Sequence, residues 1–349
     1  MNLTHRAPLW AGLAALAVVP ATHAQLLNPA WPAPSLDRWM YPFNFSAGAE
    51  SSAPTFGAIS QPGFDDRDAQ FIIGFSTASQ VVPGQPLDHY RLRHVRITAY
   101  VSVDNQARYD DTLDSVTSLY AASDPAYVAD SDAGRPVELF GVGFRNGFSG
   151  ATFEENSAFG GTPTVPPAEA ARNAFAAAAA SDGSVTDVSR QVRQRFDAAP
   201  MAIGLNPSLT PGQLIPAGTA LAFEVDLCDD GARAYIQRSL AAGKLLLAIT
   251  SLEPASGGPG GGTGDPAYPA FYTKESAVAI SNGLAVHLDL ELAIGTGADF
   301  DHNSFINGDD FDFFVEAFYY GDPIADWDGN CFVNGDDFDG FVAAFEGGV

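Results

Sequence analysis

Basic residues are scarce in this chain of 349 residues: 17 Lys and Arg against 42 Asp and Glu, a formal net charge of −25. Such a surplus repels phosphate backbones, so the composition argues against a nucleic-acid partner. Cysteine is nearly absent as well. Two residues, Cys228 and Cys331, are too few for a disulfide framework. They are open to two readings, a single bridge or two free thiols, and spacing alone does not choose between them. The histidines form no His-x-x-x-His or zinc-ligand pattern, and there is no Gly-x-Ser-x-Gly nucleophile elbow. Long apolar runs are missing beyond the first twenty-odd residues, so no later segment predicts a transmembrane anchor.

The opening residues read as an export signal. His5 and Arg6 precede an apolar run from Leu9 to Val19, and Thr22-His-Ala24 places small residues before a cleavage point at Gln25. The expectation is a mature protein, from residue 25 on, that is secreted or held at the cell surface.

The acidic charge is not spread evenly. Residues 299–349 hold thirteen acidic side chains and no Lys or Arg, and within them a pattern occurs twice. Residues 299–318 and 326–345 agree at fourteen of twenty positions with a period of 27. Each copy sets oxygen-bearing side chains at loop positions 1, 3 and 5 and an Asp at position 12, the spacing with which a twelve-residue EF-hand-type loop wraps Ca²⁺. In the first copy the candidate ligands are Asp299, Asp301, Asn303, the Phe305 carbonyl and Asp310. In the second they are Asp326, Asp328, Asn330, the Phe332 carbonyl and Asp337. Asn307 and Asn334 fall at position 9, where a ligand often acts through water. Oxygen-only ligation with flexible geometry suits Ca²⁺ better than Mg²⁺. Two structural Ca²⁺ ions are therefore expected. Two departures from the usual loop are Ser304 and Cys331 in place of Gly at position 6, and Asp in place of Glu at position 12. The competing reading is a solvated acidic tail that binds nothing, but such a tail has no reason to repeat its spacing.

After each loop the apolar residues take helical offsets: Phe311, Phe314, Val315, Phe318 and then Phe338, Phe341, Val342, Phe345. With Ile306-Asn307-Gly-Asp-Asp310 and Val333-Asn334-Gly-Asp-Asp337, this paired loop-helix pattern resembles the type I dockerin module over residues 299–346. That resemblance implies two antiparallel calcium loop-helix units and a cohesin-like or cell-surface protein partner. Where cellulosomal dockerins carry Ser/Thr followed by Lys/Arg, this chain has Gly308-Asp309 and Gly335-Asp336.

Residues 25–294 predict a mainly β domain. Strand patterns cover 70–75, 94–101, 137–142, 221–227, 245–250 and 285–292, separated by Pro, Gly and Asp clusters. Helical expectations are few: the Ala-rich stretch Ala168–Ala180, two turns over Val188–Phe196, and Asp230–Ala242 stopped by Gly243. Ser256–Gly264 is expected to be a loop, and the boundary to the calcium module is set at Gly295–Ala298. The stretches Asp65–Phe75, Leu92–Tyr100, Phe271–Ser276 and Val286–Glu291 resemble sandwich modules found beside bacterial polysaccharide enzymes. That likeness implies a jelly-roll-like β-sandwich of carbohydrate-binding type. Trp39, Tyr41, Phe43 and Phe45 alternate and would serve either as half-buried strand or as a sugar-stacking surface. Glu154-Glu155 reads as a solvated loop edge, since adjacent strand residues face opposite ways. The functional expectation is a secreted, calcium-binding, non-catalytic protein with polysaccharide as a further partner. The alternative is an extracellular polysaccharide hydrolase that carries the module as a docking tag.

Overall fold

The computed structural model describes residues 25–59, 61–160, 172–255, 266–294, 297–301, 303 and 305–348. The export segment, the Ser256–Gly264 loop, residues 168–171 and part of the expected hinge lie outside them.

The described strands are β1 (Gln25–Leu27), β2 (Ala30–Trp31), β3 (Leu36–Met40), β4 (Ser52–Pro54) and β5 (Phe56–Gly57). They are followed by β6 (Arg67–Phe75), β7 (Tyr90–Tyr100), β8 (Glu138–Phe144), β9 (Ala174–Ala179) and β10 (Val185–Asp187). The series ends with β11 (Ala202–Leu205), β12 (Ala220–Glu224), β13 (Leu245–Thr250), β14 (Ala270–Tyr272) and β15 (His287–Ile294). The helices are α1 (Gln191–Gln194), α2 (Asp230–Ala241), α3 (Ala277–Asn282), α4 (Gly308–Tyr320) and α5 (Gly335–Gly348). Each of the six expected strands overlaps one of these elements.

Among the described residues, thirteen strands form one antiparallel sheet, nine of them along the path β1-β15-β7-β12-β11-β8-β13-β6-β3 and β2, β5, β9 and β10 pairing off it. The protein is mainly β, and this large sheet curls on itself. Ile97 and Leu221 from one end of the path share a buried cluster with Phe71, Ile73, Leu247 and Ile249 from the other. Alternation explains which residues go inside. β7 buries Val95, Ile97 and Ala99 while Arg96 points outward and pairs with Glu224 on β12. The central strands β6 and β13 are covered on both faces, and β13 therefore reads as an unbroken apolar run.

Two expectations are corrected, and the open question of the two cysteines is closed. The described part of the Ala-rich stretch is not a helix but strand β9, paired with β8 on one side and β10 on the other. Helix α2 packs hard against this strand: a Cβ on Gly231, in the first turn of α2, would collide with the Ala179 carbonyl. Tertiary packing overrides the helix preference of Ala. The segment 188–196 gives only the single turn α1, closed by Arg195 in the left-handed region at φ +58°. Cys228 and Cys331 are bridged, with Cα atoms 5.5 Å apart across a sequence separation of 103. The expected helix after Asp229 does form, with the Asp229 side chain accepting from the Gly231 and Ala232 N–H groups.

The start of β6 brings an unusual density of charge into the interior. Arg67 is 0 % exposed and makes a two-pronged pair with Glu138 on β8, the strand beyond β13 in the sheet order. Arg172 binds Asp65, and Arg193 binds Asp66. We expect Glu138→Ala to destabilise the fold by about 3–5 kcal/mol, because it leaves the Arg67 guanidinium buried and unmatched. Urea unfolding checks this. The pair Arg67→Met, Glu138→Leu should recover most of the loss.

Candidate metal centre

The C-terminal unit is built by two short helices that share aromatic rings. Phe314 and Phe341 stack face to face with centroids 3.9 Å apart. Phe311 lies 5.7 Å from Phe345, and Phe318 lies 5.6 Å from Phe338. Rising numbers on α4 meet falling numbers on α5, the order of an antiparallel pair. Phe300, Trp327 and Val333 complete the cluster.

Each helix is preceded by its acidic loop. Carboxylate oxygens of Asp299, Asp301 and Asp310 lie within 4.8 Å of one another, and those of Asp326, Asp328 and Asp337 do the same. The closing Asp residues are held by backbone donors. Asp310 Oδ1 accepts from Asp301 N at 3.1 Å, and Oδ2 accepts from Asn307 N at 2.8 Å. Asp337 repeats this with Asp328 N at 3.1 Å and Asn334 N at 2.8 Å. Asn307 also caps α4, so the closing Asp doubles as the third residue of a capping box. The fixed interval between the last loop residue and the helix start has this local cause.

The amides bond within the loops. Asn303 Nδ2 donates to Asp301 Oδ2 at 2.6 Å, and its Oδ1 accepts from Phe305 N at 2.8 Å. Asn330 does likewise with Asp328 and Phe332. The Phe332 carbonyl accepts weakly from Asn334 Nδ2 at 3.4 Å, while the Phe305 and Phe332 rings stand exposed. The structure thus gathers three carboxylates per copy and places the expected Asn and Phe positions on the same loops.

The donor set fits a hard divalent cation. Asp310 and Asp337 are 0 % exposed, yet no Lys or Arg occurs between residues 299 and 349. Asp326 Oδ1 is enclosed with no hydrogen-bond donor among the described residues, while its Oδ2 accepts from Cys331 N at 2.8 Å. Buried carboxylate oxygen of this kind calls for a cation. Burial, followed by the nearby Asp337 and Asp328 charges, raises the Asp326 carboxyl above its ordinary range. Cys331 at position 6 adopts φ +67°, the left-handed turn that Gly usually supplies, and its disulfide to Cys228 anchors it there.

The unit is seated on the sheet beside its second loop. The Arg91 guanidinium lies 3.7 Å from the Trp327 ring centre, and Arg233 of α2 donates to the Gly329 carbonyl. Burial lowers Arg91 to about 10, with Asp326 and Asp337 acting the other way.

Sequence reading missed two other carboxylate groups, because their members come together only in the fold. Asp37, Glu155 and Glu275 surround the Lys274 ammonium. Glu155 is therefore half-buried and ion-paired rather than a solvated edge. Asp110, Asp114, Asp130 and Asp132 converge in the connection between β7 and β8. A cleft of about 190 Å³ is lined by Asp66, Tyr120, Asp124, Val192, Arg193 and Arg195. Its two acids are each clamped by an arginine, Asp66 by Arg193 and Asp124 by Arg195. The aromatic stretch splits: Trp39, Tyr41 and Phe43 are half-buried and in ring contact, whereas Phe45 is exposed.

No family model matches this chain, and no curated protein matches it.

Because ligand carboxylates must be ionised to hold a cation, binding should release protons as pH falls. The raised Asp326 carboxyl fixes the sign: calcium affinity weakens toward acid and strengthens as pH rises through its pKa. Calorimetry in buffers of different ionisation enthalpy reads the released protons. Asp310→Ala and Asp337→Ala should each remove one ion, and each should also cost about 0.5–2 kcal/mol of helix capping.

Proposed function

We propose that the chain is a secreted, non-catalytic calcium-binding protein. Its mainly β domain is attached or assembled at the cell surface through a dockerin-like module at residues 299–346. The observation that carries this reading is the twice-built loop, in which buried aspartates converge beside a helix start without basic neighbours in their own segment. The ligands are those of the repeat: Asp299, Asp301, Asn303, the Phe305 carbonyl and Asp310, with Asp326, Asp328, Asn330, the Phe332 carbonyl and Asp337 in the second copy. The two Ca²⁺ ions have a structural role. They neutralise the loops and hold α4 and α5 in the orientation that stacks Phe314 on Phe341.

The β domain is read as a jelly-roll-like sandwich, a view supported by the core that its two ends share. Docking is supported by exposed rings on the module: Phe305 and Phe332 at equivalent positions, with Phe313, Tyr319 and Tyr320 on α4. A cohesin-like or other cell-surface protein is the partner class. Polysaccharide binding would use Trp39, Tyr41 and Phe43, of which Trp39 stacks on Tyr41 and Tyr41 meets Phe43 edge to face.

The hydrolase alternative has less support. A glycosidase pair stands about 5–9.5 Å apart across a sugar. Asp37, Glu155 and Glu275 crowd closer than that, within 4.8 Å, around an ammonium that neutralises them. The acids of the cleft are held by Arg193 and Arg195.

The test is a calcium count on the full chain and on Asp299→Ala, Asp326→Ala. The two proteins should differ by two ions per chain. An equal count would refute the calcium reading of the repeat.

A further inference from the structure

The connection between β7 and β8 runs over residues 101–137 with only one short 3-10 turn, Val116–Leu119. A loop of that length in a compact domain needs something to fix its path. Its two arms meet at four carboxylates. Asp110 and Asp114 come from the outgoing arm, Asp130 and Asp132 from the returning one, and an oxygen of each lies within 4.8 Å of the others. The returning arm is pressed onto the outgoing one at Gly134, φ +119°, where a Cβ would sit 3.2 Å from the Arg108 and Tyr109 carbonyls.

Charge within this cluster is not balanced. Arg135 reaches Asp114 at 3.1 Å and Asp130 at 4.0 Å, which offsets one of four formal negative charges. Asp110 provides a separate indication. The residue is 2 % exposed, and both donors that reach it, Thr112 N at 2.8 Å and Thr112 Oγ1 at 2.9 Å, bind the same oxygen, Oδ1. Asp110 Oδ2 is enclosed and has no hydrogen-bond donor among the described residues. A carboxylate oxygen buried in this way loses its hydration without replacement, unless a cation supplies it. Thr112 Oγ1 also lies 3.3 Å from Asp132 Oδ2, tying the innermost ligand to the outermost.

We propose that Asp110, Asp114, Asp130 and Asp132 form a third divalent-cation site, one for a hard ion of the Ca²⁺ class, which staples the two arms of the β7–β8 connection. Four carboxylates with no nitrogen or sulfur donor select an oxygen-preferring cation. An arrangement open to solvent at Asp132 suits Ca²⁺, which tolerates irregular coordination, better than Mg²⁺. The site is independent of the C-terminal repeat and does not rest on the calcium reading of that module.

The experiment uses the full chain, dialysed against chelator and titrated with CaCl₂ to about millimolar, the range of extracellular calcium modules. The variant Asp299→Ala, Asp326→Ala should retain one ion per chain. Adding Asp132→Ala to it should weaken that ion by about tenfold or more. In a second readout, chymotrypsin cleavage after Tyr120 and Tyr127 should slow about tenfold in calcium, and Asp132→Ala should abolish the protection. Asp132 is exposed, so the same substitution in the otherwise unaltered chain leaves the fold intact and should lower its count by one. The proposal is overturned if Asp132→Ala leaves the calcium count and the cleavage rate of either background unchanged. Failure of the C-terminal reading would appear differently, as no loss of ions on changing Asp299 and Asp326.

Discussion

Like charges brought together inside a protein must be neutralised, and this constraint governs the C-terminal unit, residues 299–349. The loops hold their aspartates at fixed positions through backbone hydrogen bonds to Asp310 and Asp337, which are fully buried. The helices behind them depend on that placement, since the closing aspartate of the first loop is also part of the cap of α4. The ring stack that joins the helices depends in turn on their orientation. Self-repulsion at the loops would therefore be felt through the whole unit.

The β domain meets the same constraint with arginine. Arg67, Arg172 and Arg193 enter the interior near the start of β6 and match Glu138, Asp65 and Asp66. Guanidinium can form two parallel hydrogen bonds with a carboxylate, so a few basic residues suffice. The two strategies meet at the seam. Arg91 covers Trp327 and faces the second loop, Arg233 bonds Gly329, and the Cys228–Cys331 bridge closes the junction. The second loop is thereby tied to α2 and β7.

What was legible in the sequence followed from periodicity. The 27-residue repeat announced two equivalent loops, and alternation announced the strands, because both patterns are local. Contacts between distant segments left no such trace. Intrinsic preference predicts a helix over Ala168–Ala180, while Ala174–Ala179 pairs as a strand with β8 and β10, partners distant or unmarked in sequence. The pairing of Cys228 with Cys331 depends on how α2 meets the second loop, which no spacing encodes. The four aspartates of the β7–β8 connection are similar: each is an unremarkable loop residue until the two arms converge. Glu155 looked solvated for the same reason, its partner Lys274 lying 119 positions away.

Amide hydrogen exchange across α4 and α5, in calcium and in chelator, tests the central claim most directly. If cation neutralisation holds the loops, protection of residues 308–320 and 335–348 should fall about a hundredfold or more when calcium is removed from a hundred times its dissociation constant. Protection in the β13 strand should change far less. Equal protection of both helices in calcium and in chelator would contradict the account.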